Sequence, residues 1–491
     1  MTQSNLPRLD PSKLPALPNA VARPAYDRAA TQIGIVHIGV GAFHRAHQAV
    51  YIDDLLAAEP RWAISGVSLN SRDVRDALQP QDGLYTLALL GVTPQLRVIG
   101  SIREVLAARE QGEQVLQRLA DPHVRIVMLT ITEKGYCLIG ENLDLAHPDI
   151  VHDLASSQTP VSAIGYLVEG LRRRREEDLA PYTVLSCDNL ADNGGKLRRA
   201  VLQFAEKLDE ELALWIAGNV TFPRSMVDSI TPATDDALRE RVDARLGVHD
   251  AWPVQRERYT QWVIEDAFCN GRPAFERVGV TISDEIAGYD RAKLRLLNAP
   301  HSALAYLGSL LEIETVTQAM ATPVLAQFVE RLMREAIVPN VIAPRGFDAQ
   351  AYVSAILERF RNPAIQHRLA QIAWDGSQKI PVRLLGTISD ALTAERSIDL
   401  LCLPVAGWLQ FVRRQARNGV ALVDPLDASL SSIGRACTGD AQADVAAFLA
   451  LDTVFAPISG DARFVQALQN AYAALGDGTP DAVSRALQDA R

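Results

Sequence analysis

Nowhere in its 491 residues does this chain place two cysteines at CxxC spacing: Cys137, Cys187, Cys269, Cys402 and Cys437 are odd in number and scattered. That removes the ligand spacing of a structural zinc ribbon or a redox dithiol, and it fits a reducing compartment. Positive charge is also in short supply. The 49 Lys and Arg stand against 59 Asp and Glu, a formal net charge of -10, so no global positive field exists to hold a nucleic-acid backbone or an anionic membrane. No apolar run is long enough to span a bilayer. The opening stretch from Met1 to Pro24 is polar and proline-punctuated, without the apolar segment of a signal peptide. Internal repeats and low-complexity tracts are missing too. What remains is an ordinary globular composition, 48% hydrophobic and 22% charged, on a chain too long for one compact core. Two domains in a cytoplasmic protein are the expectation, with the proline-rich N-terminal stretch left irregular.

From Ile33 to Leu190 short apolar runs alternate with amphipathic stretches: IGIVHIG, WAISGVSL, VRIVMLTIT and YTVLSCDN are the runs. Four to eight apolar residues at a time, separated by helical periods, predict βαβ units around a buried parallel sheet. After about Ala287 the pattern changes to long 3.6-period segments such as LRLLNAPHSALAYLGSLLEI, punctuated by Pro339, Pro344, Pro363 and Pro381. The expected fold class is therefore α/β, with a Rossmann-type domain over 1–285 and a mainly helical domain over 286–491.

The first predicted strand runs straight into Gly39-Val40-Gly41-Ala42-Phe43-His44 and then a helix. Two glycines at such a junction permit a tight turn and let backbone N–H groups approach a pyrophosphate at the positive end of the helix. Gly39, Gly41 and Phe43 are accordingly candidates for cofactor contact. His44 stands where the third glycine of the fingerprint is usual, which leaves the helix further from the strand or the pocket differently built. The second strand ends before Asn70-Ser71-Arg72-Asp73, making Asp73 the candidate for the adenosine ribose, while Arg72 beside it keeps a 2′-phosphate, and so NADP, open. His44 and His47 share a helical face without a third ligand, so no metal site is expected there.

Chemistry is densest at Lys293-Leu-Arg295-Leu-Leu-Asn298-Ala-Pro-His301-Ser302. On an ideal α-helix Asn298 lies about 140° and His301 about 80° from Lys293, one broad side. Hydride transfer from an alcohol needs a base for the hydroxyl proton, and a lysine in a cleft can have its pKa lowered toward neutrality. An amide and an imidazole can supply the donors that a developing alkoxide requires. By residue type alone, three polar groups on one helical side also describe a solvated face.

IVHIGVGAFHRAHQA, LTITEKGYC, SCDNLADNG, TFPRSMVDSITP, QWVIEDAF, NGRPAF, KLRLLNAPHSALAYLG and DGSQKIP, in this order, resemble the long-chain mannitol dehydrogenase family over nearly the whole chain. That family comprises polyol 2-dehydrogenases and mannonate oxidoreductases, also called fructuronate reductases. The resemblance implies a Rossmann-type N-terminal domain, a helical C-terminal domain, a cleft between them, NAD as cofactor and zinc-free catalysis. It implies Lys293 as general acid/base, with Asn298 and His301 as the oxyanion-binding pair. It further implies Asn189 and Asp228 on substrate hydroxyls, Lys379 at the far end of the substrate, and Glu133 facing the cofactor, where a capping role is equally open. The departures are Ala299 and Pro300, where glycine and serine are expected.

Sugar-acid and polyol substrates differ by one carboxylate, which calls for an extra cation. Lys134, Arg295 and Gln371 lean toward the mannonate branch, and Arg295, Lys379 or Lys134 is the candidate anchor. Two residues from Lys293, Arg295 is rotated roughly 200° on an ideal helix and can equally face solvent. The expectation is interconversion of D-fructuronate and D-mannonate by hydride transfer at C2, with a mannitol or arabinitol 2-dehydrogenase as the alternative. A catalytically inactive nucleotide-binding sensor and a zinc-dependent dehydrogenase rank behind.

Overall fold

Five short segments in the first half of the chain pair side by side, and the apolar character of most of them explains why. A computed structural model describes residues 6–91 and 93–490, and the chain divides into two compact units, Met1–Ile286 and Ala287–Arg491. In the first unit β1 (Ile33–Ile38), β2 (Ala63–Ser68), β3 (Ile102–Ala107), β4 (Ile126–Leu129) and β5 (Thr183–Ser186) form one parallel sheet in the spatial order β5-β4-β1-β2-β3. Read from the β3 edge this is 3-2-1-4-5, the strand order of a dinucleotide-binding fold, whose crevice lies beyond the C-terminal ends of the strands. Successive residues feed opposite faces. Val36, Ile38, Val127, Leu129 and Val184 enter one core, whereas Ile35, Ile126, Met128 and Leu185 enter the other. Both faces are covered, so both sets of side chains are apolar.

Beyond the parallel sheet, β6 (Ser225–Asp228) pairs antiparallel with β7 (Gln261–Ile264), and β7 runs parallel to Thr281–Ile282. The N-terminal stretch is not irregular. Pro11–Ala16 forms a 3₁₀ helix capped by Asp10, Val21–Ala22 pairs with Leu96–Arg97 of a four-stranded sheet, and Arg8 bridges to His249. Leu9, Leu17 and Val21 are buried there, and that anchorage overrides the breaking effect of the prolines.

In the second unit the described residues form helices and no β-strand. Helix α3 (Ile286–Lys293) opens at the division and leads through a π-turn, Leu294–Asn298, into α4 (Ala299–Leu310). Helix α4 is buried along most of its length and packs on α6 (Asp399–Arg417), whose residues Leu400 to Arg413 are all buried. Between them in sequence lies α5 (Gly376–Ile380), which passes into another π-turn, Pro381–Leu385. No helix among the described residues is long and apolar enough to cross a membrane.

Candidate active site

The first unit carries a turn shaped for close approach of a ligand. Gly39 has φ +98°, and a Cβ there would sit 2.0 Å from the Thr130 carbonyl oxygen, so only glycine fits. Its N–H donates to Val67 O at the end of β2, and its carbonyl accepts from Thr130 Oγ1 at the end of β4. Gly41 is different: its φ is ordinary and a Cβ would meet nothing within 4 Å. The space a side chain would fill is open, as a pyrophosphate site requires. Gly41 then begins α1 (Ala42–Ala46), continued after a kink at His47 by α2 (Gln48–Leu55).

His44 resolves the missing third glycine. Its ring lies flat on that of His37 of β1, centroids 3.4 Å apart, so a planar side chain is accommodated between helix and strand. Thr130 Oγ1 donates to Gly39 O, so it accepts from His37 Nε2 at 2.9 Å. Both rings are fully buried, and desolvation pushes the His37 pKa down to about 3 and that of His44 well below the ordinary histidine value. His47 turns away, its Nε2 meeting Gln261 O and its ring stacking on Phe43 at 4.9 Å. Phe43 is thus partly covered by its own helix.

At the C-terminal ends of the strands a residue that sequence reasoning passed over organises the loops. Asp188, directly before Asn189, accepts from the N–H groups of Ile131 and Thr132 at 2.9 and 3.0 Å and from Tyr136 Oη at 2.7 Å. It pins the loop that carries Glu133, in which Thr132 adopts φ +63°, a strained conformation for a β-branched residue. Glu133 and Lys134 are exposed on the ensuing 3₁₀ turn, and Asn189 is exposed just past β5. Asp228 closes β6 and is buried. Asp73 is exposed at the start of a short helix five residues beyond β2, and Arg72 is engaged by Asp76 and Glu110 at 3.5 and 3.4 Å.

The second unit carries the lysine segment. Lys293 is 8% exposed at the end of α3. The ideal-helix angles do not hold beyond it, because the N–H of Ala299 donates to Leu294 O, five residues back. One residue is in effect inserted. Discounting it leaves Asn298 about 40° and His301 about 20° from Lys293 at 100° per residue. The π-turn therefore gathers the three on a narrower side than an α-helix does. The His301 ring packs 4.4 Å from that of Phe360 and 5.7 Å from that of His367. Burial, then His367, Arg359 and Arg383, hold its pKa well below the ordinary value, so the ring is neutral with one N–H to give.

Arg295 corrects an expectation. It is buried, and its Nη1 lies 2.5 Å from Asp390 Oδ2 and 2.9 Å from Asn340 O. The side chain does not solvate the surface; its charge is met within its own unit. Lys379, in α5, donates to Trp374 O at 2.6 Å and Ile372 O at 3.4 Å, with Asp375 at 4.0 Å. Burial and then Arg383 lower its pKa from the ordinary lysine value. Arg383 was absent from the sequence-based candidates. The signal available was a second cation four residues after Lys379, on the same helical stretch.

Among the described residues one set of potential metal ligands converges: Cys137, His147 and Asp149. His147 Nδ1 accepts from the Asp149 N–H at 3.2 Å as a helix cap. Its proton then sits on Nε2, and neither nitrogen offers a lone pair. A cavity of about 730 Å³ in the second unit is lined by Glu312, Arg368, Trp374, Trp408 and Arg414, and by none of Lys293, Asn298 and His301.

Two family profiles match the chain, "Mannitol dehydrogenase Rossmann domain" over residues 33–277 and "Mannitol dehydrogenase C-terminal domain" over 285–476. D-mannonate oxidoreductase of Escherichia coli is 42% identical over 464 residues, covering 92% of this chain and 95% of its own. A mannitol 2-dehydrogenase of Aspergillus fumigatus is 38% identical, covering 94% of each. Among solved structures, Pseudomonas fluorescens mannitol 2-dehydrogenase, in ternary complex with NAD and D-mannitol, is 38% identical with a TM-score of 0.79, covering 98% of this chain and 99% of its own. A substrate-free D-sorbitol dehydrogenase, 32% identical, superposes with a TM-score of 0.91 over 98% and 100% of the two chains.

Proposed function

The chain belongs to the mannitol dehydrogenase family and is an NAD-dependent dehydrogenase acting on a secondary alcohol, and on that premise we propose that it interconverts D-fructuronate and D-mannonate. The carbon that reacts is C2 in the numbering of the keto acid. Likeness to D-mannonate oxidoreductase over almost the full length of both chains supports the substrate. The observation that carries the chemistry is the π-turn, which directs a buried lysine, an amide and a neutral imidazole to one side of a rigid helix.

The turn at Gly39 and Gly41 fits a dinucleotide, with Asp73 proposed for the adenosine ribose, and Phe43 and Glu133 as further contacts. Bound NAD(H) supplies or accepts the hydride. Lys293 gives its proton to the oxygen at C2 during reduction and takes it back during oxidation. Asn298 and His301 hold that oxygen by hydrogen bonds that strengthen as negative charge develops on it. Because its ring is neutral, His301 acts as an N–H donor and leaves the proton to Lys293. Asn189 and Asp228 are proposed for the remaining hydroxyls, and Lys379 for the far end of the substrate.

Purified enzyme given NADH with fructuronate and with fructose in parallel tests the reading. Preference for fructuronate supports it. Preference for fructose overturns it in favour of a mannitol or arabinitol 2-dehydrogenase, the reading that the 38% identity to mannitol 2-dehydrogenases favours.

A further inference from the structure

We propose that Arg383 is the residue that binds the carboxylate of the sugar acid and so separates acid from polyol substrates; this rests on the sugar-acid reading above. The π-turn that follows α5 places it. Proline at position 381 leads α5 into a turn in which the Gly386 N–H reaches back five residues to Pro381 O. Arg383 thereby points at the lysine segment, and its Nη1 donates to Asn298 O at 3.3 Å and to Ser302 Oγ at 3.1 Å. The guanidinium lies against the residues on either side of His301.

Three observations mark it as an anion site. First, no carboxylate among the described residues lies within ion-pair distance of Arg383, whereas Arg295 in the same unit is paired with Asp390. Second, only Nη1 is used: Nε and Nη2 have no protein partner, and neither is among the buried unpaired atoms, so both open to solvent. Those two donors form the edge that grips a carboxylate through two parallel hydrogen bonds. Third, its charge is poorly compensated. Burial lowers the Arg383 pKa and its one favourable neighbour is the phenol of Tyr306, whereas nearby Lys379, lowered by burial and then by Arg383, has Asp375 and Asp424 to offset it. Lys379 is the weaker candidate because two of its three ammonium donors are already engaged by the Trp374 and Ile372 carbonyls. In fructuronate the carboxylate carbon, C6, is four bonds from C2. A cation bound to the backbone of Asn298 is therefore at the right scale to fix the far end of a substrate whose C2 oxygen rests on the Asn298 side chain.

The test compares Arg383→Gln and Arg383→Lys with the parent enzyme for NADH-dependent reduction of fructuronate and fructose, and for inhibition of fructose reduction by D-mannonate. Thermal unfolding serves as the folding control. Loss of a charge-assisted pair predicts that Arg383→Gln lowers the ratio of kcat/KM for fructuronate over fructose about 100-fold, mostly through KM. Mannonate inhibition weakens similarly, and Arg383→Lys recovers part of both. A parallel fall on both substrates with the ratio unchanged, or an unchanged inhibition constant for mannonate, overturns the proposal. Failure of the sugar-acid reading looks different: the parent enzyme prefers fructose, yet mannonate inhibition still depends on Arg383. If fructuronate is preferred and the ratio survives Arg383→Gln, the substrate stands and the anchor falls.

Discussion

The turn from Ile38 to Ala42 in the first unit and the turn from Lys293 to Ala299 in the second both fix the chain rigidly, by opposite means. The first bares the backbone. Gly39 takes a conformation closed to other residues, and Gly41 leaves open the space of a missing side chain. The second keeps its side chains and rotates them, one extra residue in the helical turn swinging Asn298 and His301 toward the line of Lys293. A bare backbone suits a cofactor bound through phosphates. Rotated side chains suit a reaction centre that needs a specific base and specific donors.

The sharpest way to break this comparison is to remove chemistry from the second turn and leave the first intact. Lys293→Ala is expected to lower kcat about 10²–10⁴-fold while NADH affinity, read by fluorescence titration, stays near that of the parent. Loss of NADH binding instead would remove the division of labour. The first turn is probed by Gly39→Ala, which forces a Cβ into Thr130 O, and by Gly41→Ala, which meets no protein atom. Gly39→Ala should cost about 3 kcal/mol or more in urea unfolding. Gly41→Ala should leave unfolding unchanged and weaken NADH binding, and equal effects on stability would contradict the reading of the two glycines.

Next in size is the pH response of the first unit. His37 and His44 are neutral when folded, burial depressing the His37 pKa to about 3 and holding that of His44 well below its ordinary value, and both return toward 6.5 when unfolded. Stability is therefore fully present above about pH 6.5. It declines as pH falls below that value by about 1.4 kcal/mol per unit for each histidine, because the unfolded chain binds protons that the folded one does not. His44→Phe keeps the stacked ring and should remove about half of this slope in denaturation measured from pH 7 to 5. An unaltered slope would assign the acid sensitivity elsewhere. The smallest effect is expected from Asp390→Asn, which loosens a half-exposed partner of Arg295. A loss of about 1 kcal/mol in stability with no change in KM for fructuronate would keep Arg295 structural; a raised KM would return it to the substrate.

Much of the first unit was legible because its signals are local. β1, β2, β4 and β5 announce themselves as apolar runs, and the Gly39 turn as a glycine pair at a strand's end. β3 was missed, since Arg103 and Glu104 interrupt IREVLA. It is one of the two edge strands of the sheet, and Glu104 is taken up by Ser65 and Arg118 rather than by an apolar layer. Asp188 hid behind the adjacent Asn189, its role visible only once the loop from Ile131 to Tyr136 folds back onto it. In the second unit helical periodicity predicted helices but not the π-turns, because one inserted residue changes no local composition.

By itself the sequence determined a parallel sheet whose first strand runs into a glycine turn at Gly39 and Gly41, since turn sterics and strand burial are written in neighbouring residues. It also brought Lys293, Asn298 and His301 close by chain length alone. Only the tertiary structure decided between the arginines. Arg295 meets Asp390, 95 positions away in the chain, while Arg383 lies against the Asn298 backbone with the N–H donors of Nε and Nη2 open. Whether a buried cation is neutralised or held in readiness for a ligand depends on which acid the fold brings beside it, and such pairings across the chain have no local signature.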